Sequence, residues 1–159
     1  MDTSYLISYL EFFNQKPPDE ARIAKRQIDE LKYKGCILKL SIFTVGEGFY
    51  KLTTDSRLSE SRQHLSSRLL EMSTEGRIFD IYRPDMEELG NIKKVVDSII
   101  RSGEYNTDAV DILILAHAIA DLKCHGLLTF DYRMINSKGI AKVVREHTKG
   151  RKFIIADRE

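Results

Sequence analysis

Short apolar segments separated by stretches of helical length are the feature that most constrains the fold of this chain. Four segments are predicted as strands because they are short, rich in apolar residues or alternating, and bounded by turn residues: 36–43, 77–82, 126–130 and 153–156. The intervening stretches are long enough to be crossover helices, which connect parallel strands. The sequence therefore predicts an α/β domain with a mostly parallel sheet.

The intervening stretches carry helix signals of their own. Residues 109–123 are apolar on almost every face, which predicts a buried helix, and Asn106, Thr107 and Asp108 are expected to cap its start. Thr44 is the expected N-cap of another helix, which contains Glu47. Further helices are predicted at 4–13, 18–34, 56–74, 84–103 and 142–147.

Length and composition limit the classes of protein that need considering. A chain of 159 residues suits one domain with a substantial core, and we expect a single domain over residues 1–159. Cys36 and Cys124 are too few for a disulfide scaffold, and no leader or long apolar run is present, so we expect a cytoplasmic protein without a membrane segment. The net charge is +1, so a nucleic-acid-binding role would need a local site.

Carboxylates occupy the strand-to-helix junctions, where ligands of parallel sheets bind. Asp131 directly follows the third predicted strand, and Glu47 lies in the first turn of the helix after the first strand. Asp111 lies in the first turn of the buried helix, and Asp2 precedes the first helix. The apolar neighbours of Glu47 and Asp111 would penalise an unpaired charge. We therefore expect these acids to converge on a common site.

Converging carboxylates repel one another unless a proton or a cation compensates them. Hard oxygen ligands without Cys or His partners favour Mg²⁺ or Mn²⁺, which activate water and neutralise phosphodiester charge. Each acid also has a structural explanation. Asp111 could belong to a capping box with Asp108, Asp131 could be an N-cap, Glu47 could be a solvated helix acid and Asp2 a frayed terminus.

Four motifs occur in the order found in the PIN-domain family of metal-dependent nucleases, which the chain resembles. The motifs are DTSYL at 2–6, SIFTVGE at 41–47, DILILAHA at 111–118 and LLTFD at 127–131. Members of this family carry an apolar strand before the first acid, whereas only Met1 precedes Asp2 in this sequence.

The resemblance implies a three-layer α/β/α fold and Mg²⁺- or Mn²⁺-dependent hydrolysis of RNA, single-stranded or structured. By position, the implied catalytic and metal-binding acids are Asp2, Glu47, Asp111 and Asp131. The implied supporting residues are Ser4, Asp108 and Thr129. Many members are VapC-type toxins, so an antitoxin protein and a homodimer are further implied partners.

Two other functions fit the same sequence. A non-catalytic α/β module could use a basic face to bind RNA or a partner protein, and a nuclease could act on DNA. The basic residues that could contact phosphates, or form a solvated face, are Arg57, Arg62, Arg68, Arg133 and residues 149–152. His117 is expected to be a core histidine, and ligand spacing for zinc is missing.

Overall fold

A computed structural model describes residues 1–58, 61–75, 79–103 and 108–156. The fold is mixed α/β, with 67% helix and short parallel strands. The chain divides into two compact units. The first comprises Met1 and Thr3–Tyr82, and the second comprises Asp2 and Arg83–Glu159.

The first unit packs helices beside a two-stranded parallel sheet. Its elements are α1 (Thr3–Glu11), α2 (Asp19–Tyr33), β1 (Lys39–Ser41), α3 (Ile42–Thr54), a 3₁₀ turn (Ser56–Leu58), α4 (Arg62–Glu75) and β2 (Asp80–Tyr82). Leu40 of β1 is fully buried and pairs in register with Ile81 of β2. Helix α1 contacts α2, α3 and α4. Gly48 of α3 permits close packing of α3 against α4, because a Cβ there would lie 3.2 Å from the Leu69 side chain.

The second unit has the same kind of construction. Its elements are α5 (Met86–Ser102), α6 (Ala109–Ala120), β3 (Gly126–Leu128), α7 (Tyr132–Asn136), α8 (Lys138–Thr148) and β4 (Ile154–Ala156). Strands β3 and β4 are parallel, with Leu127 opposite Ile155. Helix α5 packs against α6 and α8, and α6 also contacts β3. The core of this unit therefore surrounds α6, the helix with the most apolar sequence.

The α/β class and the parallel pairing of neighbouring strands confirm the coarse fold prediction. The strands are shorter than predicted, and α8 begins at Lys138, four residues before the predicted start. Asp108 is the N-cap of α6, as predicted, whereas Asn106, Thr107 and the first two residues of the predicted strand 77–82 lie outside the described residues. The three-layer arrangement and the single domain stay predictions. No helix within the described ranges is both long and apolar enough to span a membrane.

The predicted N-cap of α3 is wrong. The helix begins at Ile42, and Ser41 is the N-cap, with its hydroxyl accepting a hydrogen bond from the backbone N–H of Phe43 at 3.2 Å. Thr44 is instead buried inside the helix, where its hydroxyl donates to the backbone carbonyl of Met1 at 3.0 Å. The strand ends earlier than its apolar sequence indicates, so the capping role falls to the earlier hydroxyl residue.

Candidate functional site

A buried hydroxyl connects two of the predicted acids at the end of β3. The Thr129 side chain is fully buried, and its Oγ1 donates a hydrogen bond to Oδ2 of Asp2. The same oxygen accepts from the backbone N–H of Asp131 at 2.9 Å. Thr129 therefore fixes the Asp2 carboxylate and the backbone of Asp131 at one place.

The backbone around this hydroxyl is held by the sheet. The Thr129 N–H donates to the Ala156 carbonyl at 3.0 Å, which continues the pairing of β3 with β4 by one residue. The Asp2 N–H donates to the Leu128 carbonyl at 2.9 Å, so Asp2 is anchored to the end of β3 by its backbone as well as its carboxylate. Asp2 is 2% exposed, which rules out the frayed-terminus alternative.

Asp131 is the N-cap of α7, and its side chain is more accessible than that of Asp2. Its Oδ1 accepts from the backbone N–H of Arg133 at 2.8 Å. The Arg133 guanidinium also reaches this carboxylate, with Nε 3.2 Å from Oδ1 and Nη2 3.4 Å from Oδ2. The side chain of Asp131 is 15% exposed and that of Arg133 is 72% exposed. Asp131 therefore combines the capping role with a position near solvent.

The acids of α6 lie in the same unit. Asp111 is half-buried in the first turn of α6, which contacts β3. Asp108 is exposed, and its carboxylate accepts from the Val110 backbone N–H at 3.1 Å. Asp108 therefore has a helix-capping role, and its supporting role in a site stays a prediction.

Glu47 belongs to the first unit and has its own partners there. The Thr3 hydroxyl donates to Oε2 of Glu47 at 2.5 Å, and Lys51 Nζ lies 2.8 Å from Oε1. The Glu47 side chain is only 8% exposed, so it is not a solvated helix acid. Ser4, the predicted supporting hydroxyl, is half-buried in α1 beside Thr3.

The structure thus joins Asp2, Thr129 and Asp131 directly, whereas Glu47 is described in the other unit. Sequence reasoning missed Thr3 and Lys51 as partners of Glu47. The Glu-to-Lys spacing of four residues on a helix is a signal that could have identified Lys51. Nothing in the local sequence identifies Thr3 in preference to Ser4.

The carboxylate oxygens at the end of β3 are donors of the type that divalent cations prefer, but two carboxylates alone do not complete a coordination shell. Within 1–58, 61–75, 79–103 and 108–156, no group of three or more His, Cys, Asp or Glu side chains is arranged to hold a metal ion. Mg²⁺ is commonly bound by one or two carboxylates, with water and substrate phosphate as its other ligands. Asp2 and Asp131, which Thr129 holds at the end of β3, are a pair of carboxylates of that kind.

Several of the predicted basic residues have partners within the protein. Arg57 pairs with Asp55, with Nη2 2.6 Å from Oδ2, and the Arg68 guanidinium lies 4.1 Å from the centre of the Phe13 ring. Arg151 donates to the carbonyls of Ile119 at 2.8 Å, Asp121 at 2.6 Å and Cys124, all at or beyond the end of α6.

Arg151 therefore caps the C-terminal end of a buried helix, a structural role that its local sequence does not indicate. His117 is 1% exposed in that helix, so its core location is confirmed.

Comparisons of the chain with protein-family models, curated proteins and solved structures return no match.

Proposed function

We propose that this chain is a divalent-cation-dependent ribonuclease whose active site is centred on Asp2, Thr129 and Asp131 at the end of β3. The observation that carries the proposal is the burial of the Asp2 carboxylate, which accepts a hydrogen bond from Thr129. Carboxylates buried in proteins are paired, hydrogen-bonded or bound to metals. A buried acid at the carboxyl end of a parallel strand is in the position where such sheets bind ligands.

The residues of this site have distinct roles in the proposal. Asp2 supplies a fixed negative charge, because both its backbone N–H and its carboxylate are held at β3. Thr129 orients the Asp2 carboxylate and the backbone of Asp131 together. Asp131 is the more accessible acid of the two. When bound, Mg²⁺ or Mn²⁺ supplies an activated water and neutralises charge on the phosphodiester.

Asp111 and Glu47 are further acids of the proposed site, and this part of the proposal rests on the resemblance to PIN-domain nucleases. The same resemblance supports RNA as the substrate. The VapC-type toxin role, the antitoxin and the homodimer rest on it as well.

A cleavage assay with isosteric variants tests the proposal. A fluorescently labelled single-stranded RNA is incubated with the protein in Mn²⁺, in Mg²⁺ and in EDTA. We expect cleavage that requires the cation and falls about a hundredfold or more in D2N, D111N, D131N and E47Q. Asp29→Asn is the control, because it neutralises an exposed acid that pairs with Lys25 on α2. Undiminished cleavage in D2N and D131N would contradict the proposal, and single-stranded DNA of the same sequence tests the alternative substrate.

A non-catalytic module that binds RNA or a partner protein is the second candidate. It is favoured by the lack of a three-ligand metal group within the described part of the chain. The pairing of Glu47 with Lys51 favours it as well, because the ion pair compensates that charge without a metal. Thermal melting with added Mn²⁺ separates the two candidates. A cation that binds the folded state raises the melting temperature by mass action, and a module without a metal site shows no such rise.

A further inference from the structure

The ion pair between Arg133 and Asp131 has long contacts and an exposed cation. Both guanidinium contacts, at 3.2 and 3.4 Å, are longer than the 2.7–2.9 Å typical of strong charge-assisted hydrogen bonds. The Arg133 side chain is 72% exposed, so water competes for the guanidinium. Exposed ion pairs of this kind contribute little to stability. A stronger ligand of the Asp131 carboxylate can therefore replace the guanidinium in this pair.

Both oxygens of the Asp131 carboxylate lie next to this guanidinium, Oδ1 next to Nε and Oδ2 next to Nη2. A divalent cation on the same carboxylate would compete with the guanidinium for these oxygens and repel its charge. The planar guanidinium fork matches phosphate as well as carboxylate. A guanidinium displaced from Asp131 would stay two residues away along the chain, at the site where the proposed function places the nucleic-acid backbone.

We propose that Arg133 is a phosphate-binding residue that Asp131 holds in the cation-free protein and releases when a divalent cation binds. This inference rests on the proposed function, since it takes Asp131 as a cation ligand. It identifies the side chain that contacts the substrate backbone. It also couples that contact to the cation, so that Arg133 binds phosphate only in the cation-loaded protein.

Cation binding in the absence of nucleic acid is the first test. The melting temperatures of the wild type and Arg133→Gln are measured across a Mn²⁺ titration. Because R133Q removes the competitor for Asp131, we expect its half-saturating Mn²⁺ concentration to fall by about two- to fivefold. Lys93→Gln is the matched control: it breaks an exposed pair with Asp97 on α5, in the same unit, and is expected to leave the midpoint unchanged.

Backbone binding is the second test, and its expected effect has the opposite sign. A phosphorothioate single-stranded RNA, which resists hydrolysis, is titrated by fluorescence anisotropy at several KCl concentrations. In fixed Mn²⁺, R133Q should bind more weakly, and its slope of log K against log salt should be smaller by about 0.7, the contribution of one phosphate contact on a single strand. In EDTA the two slopes should agree, and R133K, which keeps the charge, should retain most of the wild-type slope.

The outcomes separate this inference from the proposed function. Equal Mn²⁺ midpoints for wild type and R133Q, or equal salt slopes in Mn²⁺, would overturn the role of Arg133. The proposed cation site would still be supported in that case if Mn²⁺ raises the melting temperature of the wild type. A slope difference that persists in EDTA would overturn the coupling to the cation. A wild type that shows no response to Mn²⁺ would overturn both proposals together. A purely structural Arg133 would change stability without moving the salt slope.

Discussion

Replacing Thr129 by valine removes the hydroxyl at the centre of the candidate site while keeping the shape of the side chain. Two interactions are lost: the hydrogen bond to the buried Asp2 carboxylate and the acceptor for the Asp131 N–H. A hydrogen bond to a charged group contributes about 1.5–3 kcal/mol and a neutral one about 1 kcal/mol. We therefore expect T129V to lower the free energy of unfolding by about 2.5–4 kcal/mol.

Thr129→Ser is the matched control for this prediction. It keeps the hydroxyl and removes one methyl group, which should cost about 1 kcal/mol. Urea unfolding at pH 7, followed by circular dichroism, measures both variants. A double-mutant cycle with Asp2→Asn should give a coupling free energy of about 1 kcal/mol or more between the two positions. The reasoning is refuted if T129V is no less stable than T129S, or if the cycle shows no coupling.

Three further predictions concern the frame around the site. Gly126→Ala places a Cβ 2.5 Å from a carbonyl oxygen of β4 and should destabilise the protein by about 1–3 kcal/mol in urea unfolding, whereas the control Gly90→Ala, at an open position inside α5, should stabilise it by about 0.5–1 kcal/mol. The lysine of Arg151→Lys cannot reproduce hydrogen bonds to three carbonyls, so the variant should lose about 2 kcal/mol of the free energy of unfolding and melt at a lower temperature. An unchanged melting temperature would contradict the structural role. Hydrogen bonds from the Arg57 guanidinium lower the pKa of Asp55 from 3.8 to about 2. The stability that this pair contributes is therefore present above pH 3.8 and is lost as the pH falls through 2. Acid titrations of unfolding should therefore show wild type more stable than Asp55→Asn at pH 5 and the two converging near pH 2; a gap that stays constant would refute the assignment.

Local chemistry was readable from the sequence because its signals lie within a few residues. Asp108 and Asp131 precede helices with the spacing of N-caps, and both accept the expected backbone hydrogen bonds. The apolar pattern of α6 correctly predicted a buried helix with His117 in the core. The assignment of Thr44 as a cap failed because the exact end of β1 depends on its pairing with β2, which the local pattern does not contain.

Interactions between distant residues were not readable in the same way. Asp2 and Thr129 are 127 residues apart, and the resemblance to PIN domains suggested that both belong to one site without giving the hydrogen bond between them. The sequence places Arg151 among the basic residues that could contact phosphates or form a solvated face. Nothing near it in the chain indicates that its guanidinium donates to three carbonyls at the end of α6. The convergence of all four predicted acids stays a prediction, because Glu47 is described in the other unit.

Crystals of the wild-type protein grown in Mn²⁺ offer the most direct measurement of the central claim, that acids at the end of β3 bind a divalent cation. Anomalous diffraction locates manganese without reference to activity. We predict a peak about 2.0–2.3 Å from carboxylate oxygens of Asp2 and Asp131, which disappears in crystals of D131N. Crystals in which these carboxylates keep their present partners and manganese binds elsewhere, or nowhere, would contradict the account.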